Sequence, residues 1–118
     1  MSQERIAFAT KRPGGLNAKI ADRFGRAETF TIIDIDISTG SVLSVKVIEN
    51  PAINEARGAG VKAVQKLAEE GVTIAVGPTP GPHALMALRA SGIKFYEARG
   101  ESVIEALRNL LAKISKKS

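Results

Sequence analysis

The sequence predicts a single three-layer α/β domain, in which helices cover both faces of a mixed five-stranded sheet. Three observations lead to this fold class. The first half of the chain contains three strand-like segments in succession, and the second half alternates helical and strand-like segments. The chain has 118 residues, of which 44% are hydrophobic, and this size and composition are typical of one domain. The predicted order of elements over residues 1–118 is βββαβαβα.

The first two strands are predicted from an apolar run and from an alternating pattern. Arg5–Thr10 is a short apolar segment that ends at a break rich in Pro and Gly. In Thr29–Ile37, isoleucines alternate with Asp34 and Asp36. This alternation predicts a strand with one face on the core and the other face in water.

The third strand is predicted to form a hairpin with the second. A turn at residues 38–41 is followed by Leu43, Val45 and Val47, which alternate with polar residues. We therefore expect this segment to be an antiparallel partner of the second strand.

The second half of the chain has helical periodicity between short strands. The apolar residues of Gly60–Ala68 fall on one stripe of a helix that ends at Gly71. Val72–Val76 is almost entirely apolar, which is typical of a strand buried on both faces, and a helix follows it as far as Ala90. Residues 94–97 form a brief strand, so right-handed crossovers are expected here.

The last predicted helix begins with a capping box. Ser102 precedes Glu105 by three residues, and the stripe of apolar residues continues from Val103 to Ile114. The helix leads into a basic tail with Lys113, Lys116 and Lys117. We interpret this tail as a solvated helix terminus, in which the cations complement the helix dipole.

The composition excludes several classes of site. The chain has no Cys and one His, so disulfides, zinc–thiolate sites, Cys nucleophiles and thiolate ligation of iron–sulfur clusters are excluded. No apolar stretch is long enough to span a bilayer, and Met1–Thr10 lacks a signal-peptide pattern. We therefore expect a cytoplasmic protein with no membrane association.

The net charge of +5 lies mainly at the two ends of the sequence, with +3 in residues 1–30 and +4 in residues 108–118. A basic protein suggests nucleic acid as a ligand, and a pI of about 9.8 motivates that hypothesis. However, aromatic residues make up 4% of the chain and there is no Trp, so a base-stacking platform is lacking. Nucleic-acid binding is therefore disfavoured.

Three segments could build a ligand site beyond the carboxyl ends of parallel strands. Residues 77–83 and 57–60 combine glycines with a predicted helix start, where N–H groups can meet an anion. Their alternatives are a turn braced by Pro and close packing of small residues. Residues 12–27 carry several cations and could close over a polyanion, or could form a solvated basic loop that Phe24 anchors.

Two further candidates have simpler structural explanations. His83 could ligate a metal or transfer a proton, but it could equally cap the helix or pack on the surface. Asp34 and Asp36 lie about 7 Å apart along one strand face, which would suit a metal, although a hydrated face accounts for them as well. No nucleophile with its base, no P-loop and no dinucleotide fingerprint is present. The sequence therefore does not predict an enzyme.

Short motifs with glycine occur in order along nearly the whole chain. They are Arg23-Phe24-Gly25-Arg26-Ala27, Gly58-Ala59-Gly60, Gly77 with Gly81-Pro82, Gly92-Ile93-Lys94 and Gly100. Together these motifs resemble the dinitrogenase iron–molybdenum cofactor-binding family, and the chain looks like a small stand-alone nitrogenase accessory factor. The resemblance implies a ribonuclease-H-like fold, which agrees with the predicted element order.

The resemblance also implies a function, namely non-catalytic binding or delivery of an anionic iron–molybdenum or iron–sulfur cluster during cofactor biosynthesis. The implied partners are such a cluster or another small anion, together with cofactor-assembly proteins. The implied cofactor-binding residues are Arg23, Phe24, Gly25, Arg26, Gly58, Gly60, Gly77, Gly81 and His83.

Two positions of this chain differ from the family pattern, and both affect which residues could bind the metals of a cluster. Members often have His before the Phe-Gly pair, where this chain has Arg23, and many have Asn at the position of His83. Charge and backbone N–H groups would therefore hold most of the cluster, with His83 as the one direct metal ligand. The alternative is a regulatory or scaffold module that docks a protein through an exposed strand edge or the basic ends and binds no cluster.

Overall fold

The computed structural model describes residues 3–115 of the chain. The strands are β1 (Gln3–Thr10), β2 (Thr29–Asp36), β3 (Ser41–Glu49), β4 (Ile74–Gly77) and β5 (Lys94–Glu97). The helices are α1 (Ala59–Glu69), α2 (Pro82–Ala90) and α3 (Val103–Ser115). The predicted order βββαβαβα is confirmed. Lys116 and Lys117 of the basic tail lie outside the described residues.

The sheet is mixed, as predicted, with the strand order β3-β2-β1-β4-β5. β1 pairs antiparallel with β2 and parallel with β4, and β4 pairs parallel with β5. Because β1, β4 and β5 run in the same direction, their carboxyl ends meet at one end of the sheet. The loops that follow these three strands therefore converge there.

Helices cover both faces of the sheet, which confirms the three-layer architecture. On one face, Leu67 of α1 and Leu88 of α2 pack with Phe30 in a fully buried cluster. On the other face, Leu107 of α3 packs with Ile33 and other strand residues. The predicted capping box also forms: the Ser102 N–H donates to Glu105 Oε1 at 3.0 Å, and the Glu105 N–H donates to Ser102 Oγ at 3.3 Å. No helix within residues 3–115 has the length and apolar character needed to cross a lipid bilayer.

The prediction that β2 is half exposed along its length was wrong. Residues 29–33 are buried on both faces, and partial exposure begins only at Asp34 and Asp36. β2 lies between β1 and β3, and its residues contribute to both core clusters: Phe30 to one and Ile33 to the other. The alternating sequence pattern correctly indicates the partly exposed end of β2. It does not reveal that neighbouring elements bury both faces of residues 29–33.

The predicted hairpin forms, and its pairing contains an irregularity that the sequence did not predict. A β-bulge lies in the β2–β3 pairing, because Asp34 pairs with Ser44 and Ile35 pairs with Val42, which leaves Leu43 without a partner. β3 is the edge strand, and Leu43 is 54% exposed. The α1 stripe also ends earlier than predicted, since Leu67 is buried and Ala68 is exposed.

Candidate functional site

A cavity of about 470 Å³ lies at the end of the sheet where β1, β4 and β5 terminate. Its walls come from four separate segments: residues 22–26 after β1, residues 58–61 at the start of α1, residues 78–84 between β4 and α2, and Arg99 after β5. The three segments proposed from the sequence are therefore brought together in one site.

Phe24 anchors the loop between β1 and β2. Its side chain is 2% exposed and packs against two rings, with centroid distances of 5.6 Å to Phe30 and 6.0 Å to Phe95. The burial of this ring confirms the anchoring role that the sequence suggested. The neighbouring Arg23 and Arg26 are exposed, and both line the cavity.

Glycines allow main-chain segments to approach one another beneath the cavity. A Cβ atom added at Gly25 would lie 2.9 Å from both Cα and N of Gly60. A Cβ added at Gly60 would lie 2.8 Å from the Cβ of Ala84. The β1–β2 loop thus packs directly on the start of α1, which in turn packs on α2. Close packing of small residues therefore explains Gly60, in a contact between helices rather than between helix and sheet.

Both α1 and α2 begin at the cavity, and neither has a side-chain cap within residues 3–115. Gly58 precedes α1 in a left-handed conformation with φ of 70°, and Gly81 precedes α2, which has Pro82 at its first position. Neither helix has an acidic residue in its first turn. The first N–H groups of a helix lack intrahelical acceptors, so both helices present donors and a positive dipole end to this region.

Arg23 and Arg26 of the β1–β2 loop differ in their hydrogen-bond partners. Arg26 donates from Nη1 to the carbonyl oxygen of Ile53 at 3.1 Å, which ties the loop to the segment before α1. Arg23 makes no hydrogen bond or ion pair with any described residue. The carboxylate of Asp22, which also lines the cavity, lies 3.4 Å from Lys11 Nζ. The two arginines therefore keep donors for a ligand.

His83 and Arg99 line the cavity from the segments after β4 and β5. His83 is the second residue of α2 and is exposed at the cavity. Arg99 donates from Nε to Glu97 Oε2 at 2.7 Å, and Thr79 Oγ1 donates to the same carboxylate oxygen at 3.0 Å. The pKa of Glu97 is lowered, chiefly because Arg99 and then Thr79 donate hydrogen bonds to it. The ionised carboxylate of Glu97 therefore accepts hydrogen bonds from both Arg99 and Thr79.

The profile of the family described as dinitrogenase iron-molybdenum cofactor matches residues 4–113. The chain belongs to this family. The resemblance stated from the sequence motifs is therefore confirmed over nearly the whole chain, and the ribonuclease-H-like order of elements that it implied agrees with the observed sheet.

Two solved structures are similar to this family member. The apo form of the orange protein from Desulfovibrio gigas is 32% identical, with a TM-score of 0.81, and the match covers 93% of this chain and 88% of that one. The NMR structure of a NifB-like protein from Thermotoga is 36% identical, with a TM-score of 0.72, and the match covers 91% and 86% of the two chains. No curated protein matches the sequence.

Most of the site residues implied by family membership line the cavity. They are Arg23, Phe24, Gly25, Arg26, Gly58, Gly60, Gly81 and His83. Gly77 lies below the cavity wall instead, where an added Cβ would come within 3.3 Å of the Phe24 ring and 3.0 Å of Ala9 Cβ. Its role in the structure is to admit the ring that anchors the loop.

Arg99, which lines the cavity, was not predicted from the sequence. A signal for it existed, because the residues that follow β5 must emerge beside the carboxyl end of β4 in a parallel pair. The sequence shows a charged residue at that position but does not reveal that Glu97 and Thr79 hold it at the cavity.

The residues present suit an anion better than a bare metal ion. Among residues 3–115, no group of three or more His, Cys, Asp or Glu side chains is placed to hold a metal. The carboxylates considered earlier have protein donors: Asp34 accepts from Arg5 and Ser44, and Asp36 accepts from Ser38 Oγ at 2.6 Å. The cavity, in contrast, has cations and N–H donors, which fit a ligand that carries its own metal and its own negative charge.

Proposed function

We propose that this chain binds and carries an anionic metal–sulfur cluster in the cavity and does not catalyse a reaction on it. The observation that carries the proposal is the meeting of two uncapped helix starts with Arg23, Arg26, Arg99 and His83 in one cavity of about 470 Å³. The cargo would be the iron–molybdenum cofactor or another iron–sulfur cluster. Membership of the dinitrogenase iron-molybdenum cofactor family supports this class of ligand.

The mode of binding follows from the donors available. The chain contains no Cys, so no protein thiolate replaces the sulfides or the terminal ligands of a cluster in the cavity, and a bond from His83 would displace one terminal ligand. The N–H groups at the two helix starts and the guanidinium groups would donate to those sulfur and oxygen atoms. The ring of His83 is the side chain placed to offer a nitrogen to a metal. Charge and hydrogen bonds release a ligand more readily than several thiolate bonds do, as a carrier requires.

The cavity walls give little support to a catalytic function. Acid–base or nucleophilic catalysis requires a reactive group beside a second group that takes or gives its proton. The lining carboxylate Asp22 faces Lys11, and the hydroxyl of Thr79 donates to Glu97. The remaining lining residues are mainly Gly, Pro, Ala and Arg. These groups can bind an anionic ligand, and we infer that the function is binding and delivery of a cluster.

The related structures are consistent with this proposal. One of them is described as an apo form, and the other as NifB-like. A carrier must take its cargo from one protein and give it to another, so we propose cofactor-assembly proteins as its partners.

The proposal is tested by anaerobic titration of the purified chain with isolated iron–molybdenum cofactor and, separately, with a synthetic thiolate-capped iron–sulfur cubane. Binding is followed by absorption and by co-elution in gel filtration. We expect saturable binding that salt weakens, and we expect Arg26→Ala to lower the affinity about tenfold because a charge-assisted hydrogen bond is lost. Arg89→Ala removes the same charge from the far end of α2, outside the cavity, and is the matched control.

Two results would overturn the proposal. If neither cluster binds the wild-type chain, the carrier function is wrong, and a protein-docking module becomes the better hypothesis. If Arg26→Ala and Arg89→Ala bind with equal affinity while both remain folded, the cluster binds elsewhere.

A further inference from the structure

Arg99 is held at the cavity by a three-residue arrangement that the family motifs do not include. Its Nε donates to Glu97 Oε2 at 2.7 Å, and its backbone N–H donates to Glu101 Oε1 at 3.0 Å. Thr79 Oγ1 donates to the same Glu97 oxygen at 3.0 Å. Thr79 belongs to the loop between β4 and α2, so Glu97 links that loop to the segment after β5.

This arrangement orients a guanidinium group without using up its donors. Arginine has five N–H donors in a planar fork, and the contact with Glu97 engages the Nε edge. The two Nη groups of Arg99 make no hydrogen bond with the described residues of the chain. They remain available to a ligand in the cavity that Arg99 lines.

The strand order places Arg99 across the site from the arginines of the β1–β2 loop. β4 lies between β1 and β5 in the sheet. Arg23 and Arg26 follow β1, whereas Arg99 follows β5, so the cations approach from both sides of the segment that follows β4. A ligand with a single charged end would need only one of these sides. An anion whose charge is spread over its surface can use both sides at once.

We propose that Arg99 is an anion-binding residue, that Glu97 and Thr79 position its guanidinium group, and that the cavity therefore selects anions with negative charge on two opposite sides. This inference rests on the proposed function, since it specifies the charge distribution of the cargo. It goes beyond that function by assigning roles to three residues outside the family motifs.

The experiment measures the affinity of the synthetic thiolate-capped iron–sulfur cubane for the wild-type chain, four single variants and one double variant over a range of salt concentrations. Arg99→Ala is expected to lower the affinity about tenfold and to make it less dependent on salt. Thr79→Val changes no charge and should lower the affinity about threefold, because the hydroxyl that fixes Glu97 is lost. Arg26→Ala removes a cation from the opposite side, and Arg89→Ala is the control.

The double variant Thr79→Val with Arg99→Ala separates positioning from general destabilisation. If Thr79 acts through Arg99, its substitution has no further effect once Arg99 is absent, and the two losses are not additive. If Thr79 only stabilises its loop, the threefold loss persists in the Arg99→Ala background, and the positioning role is wrong.

The remaining outcomes distinguish this inference from the proposed function. If wild type binds and Arg26→Ala weakens binding while Arg99→Ala does not, the cavity is the site but selection by charge on two sides is wrong. If Arg99→Ala and Arg26→Ala each weaken binding relative to Arg89→Ala, the inference is supported. If wild type fails to bind the cubane and the iron–molybdenum cofactor, both the inference and the carrier function are overturned.

Discussion

The two ends of the sheet use arginine in opposite ways. At the end where β1 begins, Arg5 donates to Asp34 from Nε at 2.7 Å and from Nη2 at 3.1 Å. Its Nη1 donates to the carbonyl oxygen of Glu70 at the C-terminal end of α1, at 2.6 Å. Arg5 therefore joins two strands and a helix and satisfies the negative end of that helix.

At the cavity end, several donors have no acceptor among the described residues. Arg23 has no partner among the described residues, Arg99 contacts Glu97 through one edge, and two helices begin there without side-chain caps. An arginine whose Nε and both Nη atoms donate to protein acceptors is a structural element, whereas donors that have no protein acceptor are available to a ligand. The arginines at the two ends of the sheet therefore differ in their hydrogen-bond partners and not in residue type.

The largest effect is expected from Gly25→Ala at the cavity end. The new Cβ would lie 2.9 Å from Gly60 Cα and N, so main chain must move to admit it. We expect unfolding free energy to fall by about 1–3 kcal/mol, and cluster affinity to fall because the loop moves away from α1. Urea unfolding and cluster titration measure the two effects.

The matched control for this substitution is Gly81→Ala. Gly81 has φ of −65° and open space around its Cβ position, so only a small cost of about 0.5 kcal/mol at the helix cap is expected. Equal destabilisation by the two substitutions would show that close main-chain packing does not shape the cavity.

A smaller effect, confined to stability, is expected from Asp34→Ala at the opposite end. Arg5 and Ser44 both donate to this carboxylate, and their donors would lose their acceptor. We expect a loss of about 1–2 kcal/mol in unfolding free energy and no change in cluster affinity. Glu69→Ala, which removes an exposed carboxylate at the same end, is the control. A large loss of cluster affinity in Asp34→Ala would contradict the separation of the two ends.

The smallest effect is a pH dependence that comes from the same carboxylate. The hydrogen bond from Arg5 is the main cause that lowers the pKa of Asp34 below its ordinary value of 3.8. The ionised Asp34 carboxylate therefore contributes its full stabilisation of the folded state above pH 3.8. This contribution is lost as pH falls through the lower pKa that Asp34 has in the folded protein. Urea unfolding over this acidic range should show a steeper decline for wild type than for Asp34→Ala, and parallel curves would contradict this assignment.

Local sequence patterns were sufficient to predict the element order. Apolar periodicity separated strands from helices, and the Ser102–Glu105 box marked the start of α3. The errors arose where tertiary structure overrides local pattern. The burial of Thr29–Ile33 depends on neighbouring strands and helices, and the bulge at Leu43 shifts the register by one residue without a distinctive residue type.

The candidate site could be predicted only in part, because local motifs mark some of its residues and contacts between distant segments determine the others. Glycine motifs and basic residues marked the β1–β2 loop and the two helix starts, and the cavity brings these together. Arg99 was missed because its role depends on contacts with Glu97 and Thr79, which come from different segments of the chain. The packing reason for Gly25 also depends on a distant residue, Gly60, that no local pattern connects to it.

The bulge in β3 also affects how this protein meets other copies of itself. Edge strands with exposed apolar side chains are templates for edge-to-edge aggregation, and Val42, Val45 and Val47 are each 40–42% exposed. The unpaired Leu43 breaks the regular spacing of amide groups along this edge. An intruding strand can therefore follow an unbroken ladder only over residues 44–49, which shortens the template available for fibril growth.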